Sequence, residues 1–441
     1  MEHFIGMALK NIFRQKKRSF TLGVNYAIVT LILTLLFAFS AGARLNIFQS
    51  ITKASAGHIT ITGRFAQGGR IYGGIKKTPE ILDAIRDALG SETVVLSRYK
   101  VQSAIYFNGL SKRLGFVGID TANDTMYRDQ MRFTAGNYDE YVQDPNGVLV
   151  PKSAAEYFGF TAGDEVVISV RTRFGAFNTG ILKIRGVYET DNYFAEGTLL
   201  THYDFLRDLD LAEADSSTTL YLYFPSAAVA AEKRDALATV LDSRGFETSR
   251  PANDSEAIAA VSASSVKYEE DKEGRDRVML KLTTIDEALG IVSTVITAVN
   301  AIGALIAAVM LFVIAVSIFI NLRMSINERM REIGTMRAMG VESGGVTSLF
   351  VFESVLLSVL FSALGALIAI LVSALFRYVI TLPGGGNLAL FLDSGYLVLA
   401  PRAIDVAAII ALIAAFSALF SYFPARSGGR IPPVVALTKT F

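Results

Sequence analysis

Four stretches of the chain are apolar enough and long enough to cross a membrane as helices. A span needs about 20 apolar residues, because a helix rises about 1.5 Å per residue and the hydrocarbon core is about 30 Å thick. Leu22–Ala43, Ala288–Ile320 and Val406–Phe423 contain no charged residue, and Val346–Phe376 contains only Glu353. The pattern predicts four transmembrane helices, with boundaries at residues 22–43, 287–321, 346–376 and 403–424.

The first apolar stretch has two readings. Lys16, Lys17 and Arg18 precede it, and Ala41–Ala43 resembles a signal-peptidase site. A signal peptide has an apolar core of about 7–15 residues, and this stretch is longer, so we expect a retained helix. Upstream, residues 1–21 alternate phenylalanine and isoleucine with lysine and arginine at helical spacing, which predicts an amphipathic helix in the inner-leaflet interface.

Lysine and arginine mark the cytoplasmic side of short loops in membrane proteins. They cluster before the first span, between the second and third spans, and after the fourth span. Both termini, including the tail 425–441, and the loop 322–345 are therefore expected in the cytoplasm. The segment 44–286 and the short loop 377–402 are then extracytoplasmic.

Segment 44–286 reads as an α+β domain. Strand-like runs are rich in β-branched and aromatic residues and are bounded by Gly, Asn or Asp. The predicted strands are His58–Thr62, Ala104–Gly109, Arg113–Asp120, Glu165–Val170, Ile181–Thr190 and Thr218–Phe224. The predicted helices are Thr78–Leu89, Lys152–Phe158 and Ala227–Leu241.

The second apolar stretch is longer than a bilayer requires. The residues before it, Val266–Gly290, have high helical propensity and no proline. We therefore expect the second transmembrane helix to continue outward as a stalk of the extracytoplasmic domain, with an ordinary tilted helix and a separate loop as the alternative.

Composition restricts the chemistry that the chain can perform. It is 51% hydrophobic and only 19% charged, with a net charge of +1, which favours a membrane protein and gives no basic excess for nucleic acid. No cysteine is present, and His3, His58 and His202 are scattered singly, so no metal cluster is expected. No Gly-Lys dipeptide occurs, which excludes a P-loop in these 441 residues. We expect no enzymatic site and no cofactor in the chain.

A block of alternating charge, Glu328–Gly340, interrupts the apolar sequence between the second and third spans. Ile326, Met330, Ile333 and Met336 form an apolar stripe at helical spacing, and Glu328, Arg329, Arg331 and Glu332 are expected to cover the remaining surface. Arg337 suits the last turn, and Gly340 is a suitable left-handed cap. These features predict a short helix that either docks in a groove of a partner or serves as a solvated connector.

The residues Asn327–Val341, "NERMREIGTMRAMGV", followed by the apolar Phe352–Ser373, closely resemble the signature of the FtsX-like, or MacB-like, permease family of ATP-binding-cassette transporters. "RLGFVGID", "GVLVPKSAAEYFGFTAGDEV" and the ending "YFPARSGGRIPPVVAL" are also similar to that family. The resemblance implies an α-helical membrane protein with four transmembrane helices plus a large α+β extracytoplasmic domain.

The resemblance also implies a role for the charged block. It would be the coupling helix, which sits in a cleft of a cytoplasmic ATPase. The intramembrane Glu353 has three interpretations: a structural hydrogen bond to a neighbouring helix, a snorkelling interfacial acid, or a direct part in energy coupling. Gly365 is expected to permit close packing of helices. The residues that match the coupling motif are Glu328, Arg331, Glu332, Gly334, Arg337 and Gly340.

The partners implied are two copies of an ABC ATPase, which would bind ATP and magnesium, and a second permease, identical or paralogous. Membrane lipid, a lipoprotein or amphiphilic substrate and a periplasmic acceptor complete the set. The expected location is the bacterial inner membrane. The expected function is ATP-driven release of lipoproteins by mechanotransmission, with efflux of drugs or peptides and activation of a cell-wall hydrolase as alternatives.

Overall fold

The computed structural model describes residues 16–54, 56–90, 93–192, 194–253, 255–257, 269–271, 273–382, 390–393 and 395–432. The chain divides into two compact units. The membrane unit comprises residues 1–44, 295–382 and 396–441. The sheet unit comprises residues 45–294 and 383–395.

The secondary structure alternates short helices and strands between long apolar helices. The helices are α1 (Lys16–Ala54), α2 (Thr78–Leu89), α3 (Tyr138–Gln143), α4 (Lys152–Phe158), α5 (Tyr203–Leu209), α6 (Ala227–Ser243), α7 (Ile285–Ala288), α8 (Gly290–Glu328), α9 (Met330–Ala338), α10 (Ser343–Tyr378) and α11 (Ala403–Gly429), with a 3₁₀ turn at Arg128–Gln130. The strands are β1 (Ile59–Gln67), β2 (Arg70–Gly73), β3 (Val94–Phe107), β4 (Leu110–Ile119), β5 (Arg132–Gly136), β6 (Gly147–Pro151), β7 (Glu165–Arg171), β8 (Phe177–Glu189), β9 (Thr198–His202), β10 (Thr219–Tyr223), β11 (Glu247–Ser249), β12 (Glu269–Glu270), β13 (Arg277–Thr284), β14 (Leu392–Asp393) and β15 (Tyr396–Leu397).

Among the described residues, four helices are long and apolar enough to cross a membrane. They lie in α1, α8, α10 and α11, as the hydrophobic pattern predicts. All four helices are longer than the predicted spans. Helix α1 continues past Ala43 to Ala54, and α11 continues through Pro424 to Gly429.

Small and polar side chains bring the helices of the membrane unit close together. A Cβ added at Gly365 would lie 2.2 Å from the backbone oxygen of Ala27, so only glycine allows α10 to approach α1 this closely. This confirms the packing role expected for Gly365. Inside the unit, the Tyr26 hydroxyl lies 2.9 Å from Ser417 Oγ, which gives both buried groups a partner.

Strands β1 to β13 of the sheet unit belong to one mostly antiparallel sheet. The main strand order is β11-β13-β1-β10-β3-β4-β9-β6-β8-β5, while β7 pairs with both β3 and β8. The pairs β11/β13, β4/β9 and β6/β8 are parallel. The longest strand, β3, lies in the middle of this order. It pairs with β10 near its start and with β7 near its end, so it joins the two halves of the sheet.

Two hydrophobic cores flank this shared strand. The first core packs β1, β10 and β13 against α2 and α6, and it contains Ile61, Ile81, Leu222, Leu237 and Leu280. The second core packs β7 and β8 against α4 and α5, and it contains Ile105, Phe158, Ile168, Ile184 and Leu206. Alternate residues of each strand enter the cores, as expected for a sheet with one buried face.

The strand and helix pattern of the sequence is largely confirmed. Helices α2 and α4 have the predicted bounds, and α6 extends the predicted helix by two residues, to Ser243. Each of the six predicted strands overlaps an observed one. Several observed elements were not predicted from the sequence, among them β6, β9 and α5.

The expected helical stalk upstream of the second span is wrong. Residues Arg277–Thr284 form strand β13, which pairs with β1 along its whole length. Val278, Leu280 and Leu282 are buried and alternate with less buried neighbours, so the period is two residues. Pairing with β1 and burial of this face override the helical propensity of Lys, Leu, Met and Arg. The long helix α8 begins only at Gly290.

Candidate functional site

The charged block forms the separate short helix α9, with a clear start and a clear end. Arg329 has φ −97° and ψ 17°, which interrupts the helical path between α8 and α9. At the other end, Gly340 adopts φ +93°, which favours glycine. The Val341 amide donates to the Met336 carbonyl and the Gly340 amide donates to the Arg337 carbonyl, which is a Schellman motif. The cap predicted at Gly340 is therefore confirmed.

The apolar stripe of α9 packs against the chain's own membrane unit. Ile326, Met330 and Ile333 are almost fully buried. Ile326 and Ile333 belong to a cluster with Val346 and Phe350 of α10, to which Ala425 of α11 and Leu322 also belong. This stripe is thus satisfied within the chain, and it leaves the opposite side of α9 to face outward.

The predicted coupling residues fall into two groups. Glu328, Arg331 and Glu332 are exposed. Gly334 is buried, Arg337 is half-buried, and Arg337 Nη1 donates to the Val341 carbonyl at 3.0 Å. The first group forms an outward charged face, and the second group, with Gly340, shapes and ends the helix.

Glu353 of α10 forms a buried ion pair with Arg329. Arg329 Nη1 donates to Glu353 Oε2 at 3.0 Å, and Nη2 donates to Oε1 at 3.4 Å. The two side chains are only 8% and 15% exposed. A planar guanidinium that meets a carboxylate in this bidentate way fixes the angle between the two groups as well as their distance. The pair therefore ties the α8–α9 corner to α10.

The expected exposure of Arg329 on the charged face of α9 is wrong. Arg329 follows Ile326 by three residues and precedes Ile333 by four, so it lies on the apolar stripe itself. Glu353 likewise follows Val346 and Phe350 at helical spacing. Two signals in the sequence mark these residues as charges that need a partner, although not which partner: an arginine in register with an apolar stripe, and a single carboxylate within an apolar span.

The charged face of α9 is held in place by contacts within the membrane unit. In the part of the chain that the structure describes, no group of three or more His, Asp or Glu side chains is placed to hold a metal ion. What the geometry provides is a charged helix face held in a fixed orientation by an ion pair and an apolar seam.

A family comparison matches this same region. The family "FtsX-like permease C-terminal" matches residues 304–433, which include α9, α10 and all of α11. The membrane unit carries an FtsX-like permease C-terminal domain. The match contains both partners of the Arg329–Glu353 pair and every predicted coupling residue.

Proteins similar to this chain include transport proteins of bacteria and archaea. The macrolide export ATP-binding/permease protein MacB of Chromobacterium violaceum is 29% identical over 155 residues, 35% of this chain and 22% of that protein. The corresponding protein of Rhodopirellula baltica is 30% identical over 158 residues, 36% of this chain and 21% of that protein. An ABC transporter permease of Methanocaldococcus jannaschii is 29% identical over 156 residues, 35% of each chain. The chain thus spans about a fifth to a third of the length of these relatives.

Two solved structures align with this chain at low similarity. The periplasmic region of MacB from Actinobacillus actinomycetemcomitans aligns with 52% of this chain and 94% of its own, at 12% identity and a TM-score of 0.29. The extracellular domain of the transporter YknZ from Gram-positive bacteria aligns with 42% of this chain and 95% of its own, at 11% identity and a TM-score of 0.29.

Proposed function

We propose that the chain is the permease component of an ABC transporter and that α9 is its coupling helix. One observation carries this proposal: α9 is held to its own chain by a buried side and presents Glu328, Arg331 and Glu332 on the other. A connector between two helices needs neither the ion pair nor the defined cap. A helix that receives force from a partner needs both, because a loosely held helix would move without moving the membrane unit.

The ATPase would be a separate cytoplasmic subunit. The 441 residues contain no Walker sequence to cradle phosphates, so ATP and magnesium would be bound by that partner, in two copies. A second permease, identical or paralogous, would complete the transporter. Lysine and arginine near α9 and beside α1 support a cytoplasmic location for this side of the membrane. The membrane would be a bacterial inner membrane, with the sheet unit in the periplasm.

The substrate class we propose is a lipoprotein or a similar amphiphile taken from the membrane and passed to a periplasmic acceptor. Helix α8 supports it with an exposed apolar surface that suits acyl chains, including Ile302, Leu305, Val309 and Phe312. Efflux of macrolide-type compounds is the second candidate, favoured by the names of the MacB relatives. Mass spectrometry of molecules that co-purify with the protein in native lipids separates the two, since acylated polypeptides support the first and small amphiphiles the second.

The coupling role is tested by a double charge reversal, Arg331→Glu with Glu332→Lys. Glu, Lys and Arg are all good helix formers, and the net charge of the loop is unchanged, so folding and insertion should be preserved. Reversed charges at a docked interface cost about 2–5 kcal/mol, whereas surface changes usually stay within about 0.5 kcal/mol. We expect weak co-purification of the ATPase and loss of transport-coupled hydrolysis.

The matched control reverses the exposed pair Arg402 and Asp405 at the start of α11. This variant should retain the ATPase, and each permease variant purified without the ATPase should lack hydrolysis. Full ATPase binding and transport by the α9 reversal would show that the charged face does not dock.

A further inference from the structure

The last turns of α1 lie within the sheet unit, where side chains of that unit bind the end of the helix. The last four carbonyl groups of a helix have no partner inside the helix. The carbonyl of Ala54, the final residue of α1, accepts hydrogen bonds from Arg98 Nη1 at 3.0 Å and from the Tyr127 hydroxyl. One turn earlier, the Ser50 carbonyl accepts from Asn192 Nδ2 at 2.9 Å. The helix end is therefore bonded to three separate parts of the sheet unit.

Arg98 is the centre of this attachment. It lies in β3, is 0% exposed, and forms a bidentate pair with Asp124 at 2.6 and 3.2 Å. The rings of Tyr127 and Tyr221 lie 4.5 and 4.9 Å from its guanidinium. Burial lowers the pKa of Arg98, but Tyr127 and Asp124 raise it by more, so its pKa lies above the ordinary value and the group stays charged. A fixed positive charge suits the negative end of a helix dipole.

The side of α1 near its end is held as well. Ile47 and Ile51 pack in a cluster with Ile285 and Leu289. Asn46 Nδ2 donates to the carbonyls of Leu390 and Leu392 at 3.0 and 3.1 Å. Apolar packing along one side and charged hydrogen bonds at the tip together restrict both tilt and rotation of the helix end.

We propose that Arg98, Asp124 and Tyr127 form a socket that fixes the last turns of α1 to the strands of the sheet unit. Without the socket, the short connection from Ala54 to β1 would act as a hinge, and a shift of α1 would be lost there. With it, movement of α1 carries the strand β3 with it. The use of this movement in transport rests on the proposed function, whereas the attachment itself does not.

Hydrogen exchange of the full chain in detergent tests the attachment. Arg98→Lys keeps the charge and removes the bidentate geometry, while Tyr127→Phe removes one hydroxyl and keeps the ring. Amides of residues 48–56 should exchange at least about tenfold faster in Arg98→Lys, the factor that corresponds to losing one charge-assisted hydrogen bond, and faster by a smaller factor in Tyr127→Phe, which loses a neutral one. Peptides from β8 should keep their rates, since global unfolding would accelerate both regions. Arg132→Lys, at an exposed ion pair with Asp191, is the matched control and should change neither region.

Unchanged exchange at residues 48–56 in both socket variants would overturn the socket.

Reconstitution with the ATPase gives the second readout, because a purely structural contact would not alter the amount transported per ATP. We expect that ratio to fall in the socket variants with ATPase binding intact. An unchanged ratio in variants whose helix end is loosened would overturn transmission through the socket. Failure of the unaltered protein to transport at all would count against the proposed function, and the exchange result would still decide the attachment.

Discussion

At the scale of single residues, a charge in an apolar helix has a specific partner rather than a general role. Glu353 lies about 15 Å along α10 from its start, at about 1.5 Å per residue, where an unpaired carboxylate is costly. Arg329 meets it with two hydrogen bonds. Removing one member of such a buried pair leaves the other uncompensated, which makes the pair sensitive to single substitutions.

We predict that Glu353→Gln lowers the free energy of unfolding by about 3–5 kcal/mol. Glu332→Gln, the same change on the exposed face of α9, should stay within about 0.5 kcal/mol. Thermal and denaturant unfolding in detergent, followed by circular dichroism, measures the difference. Replacing both Arg329 and Glu353 by Met should recover much of the loss, because a well-packed apolar pair can substitute for a buried ion pair. Equal stability of the two Gln variants would contradict a stabilising ion pair between Arg329 and Glu353.

Lys100 of β3 should give the sheet unit a measurable pH dependence. Burial, and then the nearby Arg98, lower the pKa of Lys100 to about 7 in the folded protein, from an ordinary value of 10.5. Between these values the unfolded chain binds more protons than the folded one, so this residue makes stability rise with pH from about 7 to about 10. Lys100→Met should remove that rise in unfolding experiments run across the range, while Lys112→Met, at an exposed position, should keep it. A rise of the same size in Lys100→Met would exclude Lys100 as its source.

At the scale of elements, the close packing of two membrane helices depends on a glycine, which has no side chain. Helix α10 contacts α1 through Gly365, and a Cβ there would meet the Ala27 carbonyl oxygen at 2.2 Å. Gly344 lies in the same helix with no atom within 4 Å of an added Cβ. Of the two, only Gly365 has backbone atoms within contact distance of an added Cβ. Comparing the same substitution at the two glycines therefore isolates the contribution of helix packing to stability.

We predict different effects of the same substitution at these two positions. Gly344→Ala should change stability by less than about 0.5 kcal/mol, because it lies in the first turn of α10 and an added Cβ meets no atom within 4 Å. Gly365→Ala should destabilise by about 1–3 kcal/mol, since overpacking forces the helices apart. Melting temperatures of the two variants in detergent are the measurement, and a Gly365 variant as stable as the Gly344 variant would show that α1 and α10 tolerate separation.

At the scale of the whole molecule, the two units have different solvents. Four helices of the described chain suit a lipid environment, and the thirteen-stranded sheet with its hydrophobic cores suits water. Their assignment to sides of the membrane rests on the lysine and arginine distribution of the short loops.

We predict that reporters fused after Gly69 and Asp254 read as extracytoplasmic and that reporters at Ser343 and Phe441 read as cytoplasmic. Gly69 lies in the open turn between β1 and β2, with no atom within 4 Å of an added Cβ, so a fusion there should not disturb packing. Paired alkaline phosphatase and fluorescent protein fusions, which are active on opposite sides, give the readout. A cytoplasmic signal at Asp254 would overturn the four-helix topology.

The sequence by itself determined the number of spans, six of the thirteen strands of the main sheet and the position of α9. These follow from local rules, because apolar length, residue alternation and glycine caps act over a few neighbouring residues. Ile326 and Ile333 are buried as their spacing indicates, and Gly340 ends the helix as expected.

Only the tertiary structure decided which distant groups meet. Residues Arg277–Thr284 have helical propensity, yet pairing with β1 makes them a strand. Arg329 and Glu353 are 24 residues apart, and Arg98 reaches the end of α1 across 44 residues, so neither contact has a sequence period that could predict it. A buried charge takes whatever partner the fold brings within hydrogen-bond distance, and that choice depends on packing of whole elements rather than on neighbouring residues.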